Sequence, residues 1–247
     1  MNHTRNIWAM LLLALTALPV CSQEKLNVLF VGNSYTYNSN LPQITALLSA
    51  EADTKLITRR SVAGGAYLWE HWHGKKGLKT RAIISEGDFD IVILQDNSMA
   101  TLRVPDSTLK YINRFTEFNR KHGAKTYLFN TWAREKVPQS QVEIDAVYEQ
   151  AAKESGAVRV PVGEAWQLAM DIRPSIDLYN ADGSHPSQLA TFLTACVFLK
   201  AIGGDLPEIL PVEYKIKDEF GEELVLLWVD PLDADFCRRI VEELLAE

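Results

Sequence analysis

LNVLFVGNSYTYNSNLP, residues 26–42, contains a strand, a turn and a helix start in one short stretch. Six mostly apolar residues, Leu26 to Val31, read as a buried strand. Gly32 follows, then Asn33-Ser34-Tyr35-Thr36, and a helix is predicted to start near Pro42. In α/β proteins such a strand end is where a reactive side chain is exposed or an anion cradled. Ser34 would be lifted out of the sheet edge beside backbone N–H groups, which suits a nucleophile whose product oxyanion needs donors nearby. The other readings of the same turn are a flavodoxin-like phosphate loop and an ordinary strand–helix turn.

The rest of the chain repeats this grammar. Lys55 to Val62 alternates weakly as a second strand and ends in Ala63-Gly64-Gly65. A helix is predicted from Tyr67 to Glu86, with breaks near Gly74 and Gly77. Asp90 to Leu94, DIVIL, has the continuous apolar run of a parallel strand buried on both faces, and ends in Gln95-Asp96-Asn97-Ser98. Asp106 to His122 reads as a helix with Leu109, Ile112 and Phe115 inward. Lys125 to Asn130 is a fourth strand, Gln141 to Ser155 a helix, Ala157 to Val162 a fifth strand and Glu164 to Asp171 a short helix. After an irregular stretch, Leu189, Phe192, Leu193, Cys196 and Val197 form an apolar stripe at helical spacing, with Pro186 suited to the first helical position. Residues 215–216 and 224–229 are expected to pair as a hairpin before a last amphipathic helix, 233–246. Five alternations of strand and helix argue for an α/β fold, a parallel sheet with helices on both faces. Its carboxyl edge would carry Ser34, Gly64-Gly65, Asn97 and Trp132.

The chain is 247 residues long with a formal net charge of −7. Arg5, the apolar run Ile7 to Val20 and Val20-Cys21-Ser22 read as a signal peptide, cleaved after Ser22. Lipidation of Cys21 is the rival, and the bulky Val20 before it argues against that. Residues 23–247 then form one domain, expected to be exported and to lack a membrane span. An acidic chain without a basic run is a poor candidate for nucleic acid. Cys196 and Cys237 lie in apolar helical patterns and read as buried thiols, with a disulfide between them as the alternative.

A serine nucleophile needs a base. Beyond the leader the histidines are His71, His73, His122 and His185. His122 precedes a glycine and reads as a helix cap. His71 and His73 are two apart, a weak metal pair more suited to surface or pocket-wall positions. Asp182 stands three residues before His185, with Gly183 between them to fold the loop back. That spacing brings a carboxylate to Nδ1 and leaves Nε2 free to face a serine. The alternative is an Asp-Gly turn capping the following helix. Candidate oxyanion donors are the Ser34 N–H, a glycine N–H from Gly64 or Gly65 and the Asn97 amide, each worth roughly 3 kcal/mol of transition-state stabilisation.

Ser34 in GNSYT, glycine after the second strand, Asn97 after the third and DGSHP near the end, in this order, resemble the SGNH (GDSL-like) hydrolase superfamily. The resemblance spans nearly the whole chain beyond the leader and is closest to an exported bacterial subgroup. It implies a three-layer flavodoxin-like sandwich with a five-stranded parallel sheet, order 2-1-3-4-5, and no metal or cofactor. It also implies Ser34 as nucleophile, His185 as base, Asp182 as its orienting group, and an oxyanion hole of Ser34, Gly65 and Asn97. Two departures stand out: Asn33 occupies a position where aspartate is common, and QDNS replaces a glycine followed by Asn-Asp.

Asn33, Gly64, Gln95 and Trp132 are the candidate substrate contacts, and Tyr35, Tyr37, Trp69 and Trp72 the aromatics that could line the mouth. The expected activity is hydrolysis of O-acetyl or similar short esters on carbohydrate. A non-catalytic carbohydrate binder of the same fold is the first alternative, and a flavodoxin-like phosphate or nucleotide binder the second.

Overall fold

The computed structural model describes residues 23–246; the expected signal peptide, with Cys21 and the expected cleavage after Ser22, lies outside the described residues. Five parallel strands form the central sheet: β1 (Glu24–Gly32), β2 (Thr54–Val62), β3 (Ile91–Leu94), β4 (Lys125–Phe129) and β5 (Val158–Val160). Their order is β2-β1-β3-β4-β5, as expected. After β2 the chain crosses back over β1 to add β3 on its other side. The crevice between β1 and β3 is therefore the topological switch point, where open α/β sheets bind ligands.

Period-two alternation sends apolar residues to both faces. In β1, Val28 and Phe30 enter one core while Leu29 and Val31 enter the other, and in β3 Ile91 and Ile93 oppose Val92 and Leu94. The first face is covered by α2 (Leu41–Leu48), α8 (Val162–Ile172), α9 (Gln188–Gly203) and α10 (Pro231–Leu244). The second carries α3 (Leu68–His73), α4 (Thr80–Glu86), α6 (Pro105–Lys121) and α7 (Gln141–Ser155). Two single-turn helices, α1 (Ser34–Tyr37) and α5 (Ala100–Arg103), follow β1 and β3 at the carboxyl edge. A separate antiparallel hairpin, β6 (Glu213–Lys217) with β7 (Glu223–Trp228), precedes α10.

The helix over 67–86 breaks near Gly74 and Gly77, as expected, into α3 and α4, both glycines taking positive φ. Other local expectations are corrected. Residues 189–197 are not an amphipathic stripe: Ala190 to Leu199 are all buried, since α9 is enclosed by α2, α8 and α10. Pro186 is not the first helical residue. Ser187 caps α9, its hydroxyl accepting from the Ala190 N–H, and Pro186 pairs with Tyr179 in an isolated bridge. Leu109 is only partly buried on α6, while Ile112 and Phe115 are in the core. Cys196 and Cys237 are buried free thiols, and burial pushes the Cys237 thiol up to about 12. No helix among the described residues is long and apolar enough to cross a membrane.

Candidate active site

The segments after β1, β2, β3 and β4 and the loop between α8 and α9 contribute to one cavity of about 430 Å³. Ser34 is the first residue of α1, immediately past β1, so its side chain leaves the sheet edge as the sequence implies. Gly32 must be glycine here: a Cβ would lie 2.3 Å from Thr36 Oγ1 and 2.5 Å from Gln95 Oε1. Asn33 caps the turn. Its Oδ1 accepts from the Tyr35 N–H at 3.1 Å, and its Nδ2 donates to the carbonyls of Ala66 (3.0 Å) and Asp96 (3.3 Å). An aspartate could not make those two donations, which accounts for the first departure.

The loop between α8 and α9 brings His185 to Ser34. Asn180 N donates to His185 O and Ser187 N to Leu178 O, so the loop folds back as a hairpin. Gly183 turns it at φ 64°. Asp182 Oδ1 accepts the backbone N–H groups of Ser184 (3.0 Å) and His185 (2.9 Å). That fixes the carboxylate so that Oδ2 receives His185 Nδ1–H at 2.5 Å. These hydrogen bonds, led by the one from the His185 ring, hold the Asp182 carboxyl down to about 2. His185 Nε2, the proton placed on Nδ1, then accepts from the Ser34 hydroxyl at 2.9 Å. A wide separation of Ser34 and His185 would favour the non-catalytic alternative; the two are within hydrogen-bond reach.

Gly65 lines the cavity, whereas the Gly64 carbonyl is turned outward to Lys76 Nζ at 3.1 Å. Asn97 lines it from the β3 end. Its Nδ2 donates to Gly65 O at 3.0 Å, tying the two loops and leaving a second N–H for the cavity, and its Oδ1 accepts from Met99 N. Among the described residues neither Ser34 N–H nor Gly65 N–H has a protein acceptor. Ser34, Gly65 and Asn97 thus line one cavity.

Two expected substrate contacts are buried supports instead. Gln95 is fully buried; its Oε1 accepts from Asn33 N (2.9 Å) and Thr36 Oγ1 (3.0 Å), joining β3 to the Ser34 turn. Trp132 is 2% exposed. It stacks between Tyr35 (centroids 4.6 Å) and Trp166 (3.9 Å), and its Nε1 donates to Ser184 O at 2.9 Å. Tyr35 Oη reaches Ser184 Oγ at 2.7 Å. The residue next to His185 is thus clamped from the Ser34 turn and from β4. Of the aromatics expected at the mouth only Tyr35 lines the cavity, and Trp72 packs in the second core against Phe115. Tyr67, Arg103 and Arg134 line it without having been singled out. Arg134 lies in the loop that follows β4, and its place beyond the carboxyl end of a strand is the signal the sequence carries.

His71 is not a surface or pocket-wall residue. It is 1% exposed beneath the site, with Nε2 donating to Gly32 O at 3.0 Å and Nδ1 accepting from Thr80 Oγ1 at 2.7 Å. Burial lowers its pKa to about 4, so it is neutral at ordinary pH. Asp96 is likewise buried. Its carboxylate accepts from Leu68 N and Asn97 N (2.8 Å each) and from Thr108 Oγ1 (2.8 Å), anchoring α3 and Asn97 together.

No family model and no curated protein matches the chain. Solved structures do. A Slackia heliotrinireducens protein assigned as an SGNH hydrolase is 25% identical, with TM-score 0.63, over 73% of this chain and 100% of that one. A DUF4886 family protein from Bacteroides uniformis is 18% identical, TM-score 0.66, over 89% of this chain and 94% of that one. An acetylxylan esterase from Geobacillus stearothermophilus is 14% identical, TM-score 0.56, over 72% and 94%. On its sheet order and its likeness to the Slackia protein, the chain belongs with the SGNH/GDSL-like hydrolase superfamily.

Proposed function

We propose that the protein is an exported serine esterase that removes O-acetyl or similar short acyl groups from carbohydrate. The observation that carries this is the continuous hydrogen-bond chain Ser34 Oγ–His185–Asp182 opening on a polar cavity. His185 Nε2 takes the Ser34 proton as Oγ attacks the ester carbonyl carbon. The charge on the carbonyl oxygen is received by the N–H groups of Ser34 and Gly65 and by Asn97 Nδ2. As the tetrahedral intermediate collapses, His185 gives its proton to the departing alcohol and leaves an acyl-Ser34. His185 then takes a proton from water as the water oxygen attacks the acyl carbon, and returns it to Ser34 Oγ as the Oγ–acyl bond breaks, which releases the acid and free Ser34. Asp182, ionised throughout, holds the imidazole in the tautomer that can accept and balances its charge when protonated.

The acyl class is supported by the acetylxylan esterase among the structural neighbours. The alcohol is supported by a cavity of about 430 Å³ lined mostly by polar side chains. Export is supported by Arg5 and the apolar run after it. Hydrolysis of p-nitrophenyl acetate tests the reading. Wild type is expected to be active, and Ser34→Ala and His185→Ala each to fall by at least ~10³-fold. Equal rates in all three proteins would end it.

A further inference from the structure

We infer that the ester presented to Ser34 carries a carboxylate, as on an acidic sugar, and that Arg103 and Arg134 recognise it. This rests on the esterase reading above. The residues lining the cavity include two arginines and no carboxylate. Arg103 ends α5, beyond β3, and Arg134 follows β4, so two separate loops deliver guanidinium groups to one mouth. Among the described residues neither is in a salt bridge. Arg134 is steadied at the mouth by Ser98 Oγ, 3.2 Å from its Nη2.

The neighbouring carboxylates do not neutralise this pair. Asp182 is committed to His185 and to two backbone N–H groups. Glu135 packs against Gly183, where a Cβ would lie 2.8 Å from its Oε2, and it does not line the cavity. The chain as a whole is acidic, at −7, so its long-range field disfavours an anionic substrate. A locally basic mouth reverses that preference at contact distance, inside the screening length of the surrounding solution. Guanidinium donors form a planar fork that matches a carboxylate, whereas a neutral sugar ester would desolvate both charges without replacing their hydration.

The test compares kcat/KM for a monoacetylated methyl glucuronoside, the matching glucoside and a sulfated glucoside, in wild type and in R103Q/R134Q. Both arginines are exposed, so the double variant keeps the core intact. Wild type is expected to prefer the glucuronoside over the glucoside about 10-fold, the size of a charge-assisted pair in a partly enclosed site. The ratio should approach one in the double variant and shrink when ionic strength rises from about 0.05 to 0.5 M. A wild-type ratio near one, or a ratio the variant leaves intact, overturns the inference while p-nitrophenyl acetate hydrolysis still upholds the esterase. A stronger preference for the sulfated ester overturns the carboxylate assignment. If no ester is hydrolysed, the esterase reading fails, and calorimetric titration of Ser34→Ala with the same three sugars decides the point alone. About 10-fold tighter binding of the glucuronoside supports the inference, and equal binding refutes it.

Discussion

Asn33 and His71 show how single residues near Ser34 are chosen for what they can donate. Asn33 ties the β1, β2 and β3 loops because its amide gives hydrogens to two carbonyls while its oxygen caps α1. His71 serves the same strand end from below. Gly32 O can only accept, so His71 Nε2 carries the hydrogen, Nδ1 accepts from Thr80, and the Thr80 hydroxyl in turn accepts from Ser61 at 2.8 Å. Protonating His71 would add a second ring hydrogen where Thr80 donates. Its folded-state pKa, about 4 against an ordinary 6.5, sets the direction of the pH effect. Between those values the unfolded chain binds more protons, so acid favours unfolding. Stability is full above pH 6.5 and loses about 3 kcal/mol from this residue as pH falls to 4. Urea unfolding of wild type and His71→Gln across pH 4–7 measures it. The gap in pH dependence between the two proteins should be of that size, and parallel curves would remove His71 as the cause.

At the scale of elements, the site is assembled by an aromatic ladder that crosses three of them. Tyr35 in α1, Trp132 after β4 and Trp166 in α8 stack in sequence, and two members hold Ser184 by hydrogen bonds. Ladder and loop together fix the distance from His185 to Ser34, which neither α1 nor the α8–α9 loop could fix alone. Trp132→Ala removes both stacking surfaces and the bond to Ser184 O. It is expected to cost about 3–5 kcal/mol of stability, and to lower kcat on p-nitrophenyl acetate more than it raises KM. Trp132→Phe keeps most of the stack and should recover most of the stability while leaving part of the kcat loss. Thermal unfolding and steady-state kinetics of the two variants separate packing from positioning. A kcat unchanged in a folded Trp132→Phe would show that the Ser184 bond does not position His185.

At the scale of the whole molecule, the sheet separates two cores. Ile44 lies in the core under α2 and Ile112 in the core under α6, both fully buried and on opposite faces. Ile→Val at either is expected to cost about 1 kcal/mol, and the double variant the sum to within ~0.5 kcal/mol, because the sites share no contacts. Denaturant melts of the three variants test this, and a coupling above ~1 kcal/mol would mean that the sheet transmits strain between faces. The carboxyl edge is where both cores end and backbone amides are released. The topological switch there leaves a crevice beside β1 that the loops fill with Ser34, Gly65 and Asn97.

The alternation of strand and helix, the two-faced burial of DIVIL and the pairing of Asp182 with His185 could be read from the residues because each depends on near neighbours. The strand order and the partnership of His185 with Ser34, 151 residues away, followed only from the family resemblance. Alternation decides which faces are apolar, and three residues of separation bring Asp182 to His185. The roles of Gln95, Trp132 and His71 could not be read that way. Polar and aromatic residues at a strand end look alike in sequence whether they face a ligand or the loop behind it. Here the crossover from β2 over β1 to β3 and the return of the α8–α9 loop turned Gln95 and Trp132 inward and enclosed His71, while leaving Arg103 and Arg134 at the mouth. Local chemistry is set by the order of residues along the chain. Burial depends on which distant segments close over a side chain, and only the tertiary structure decides that.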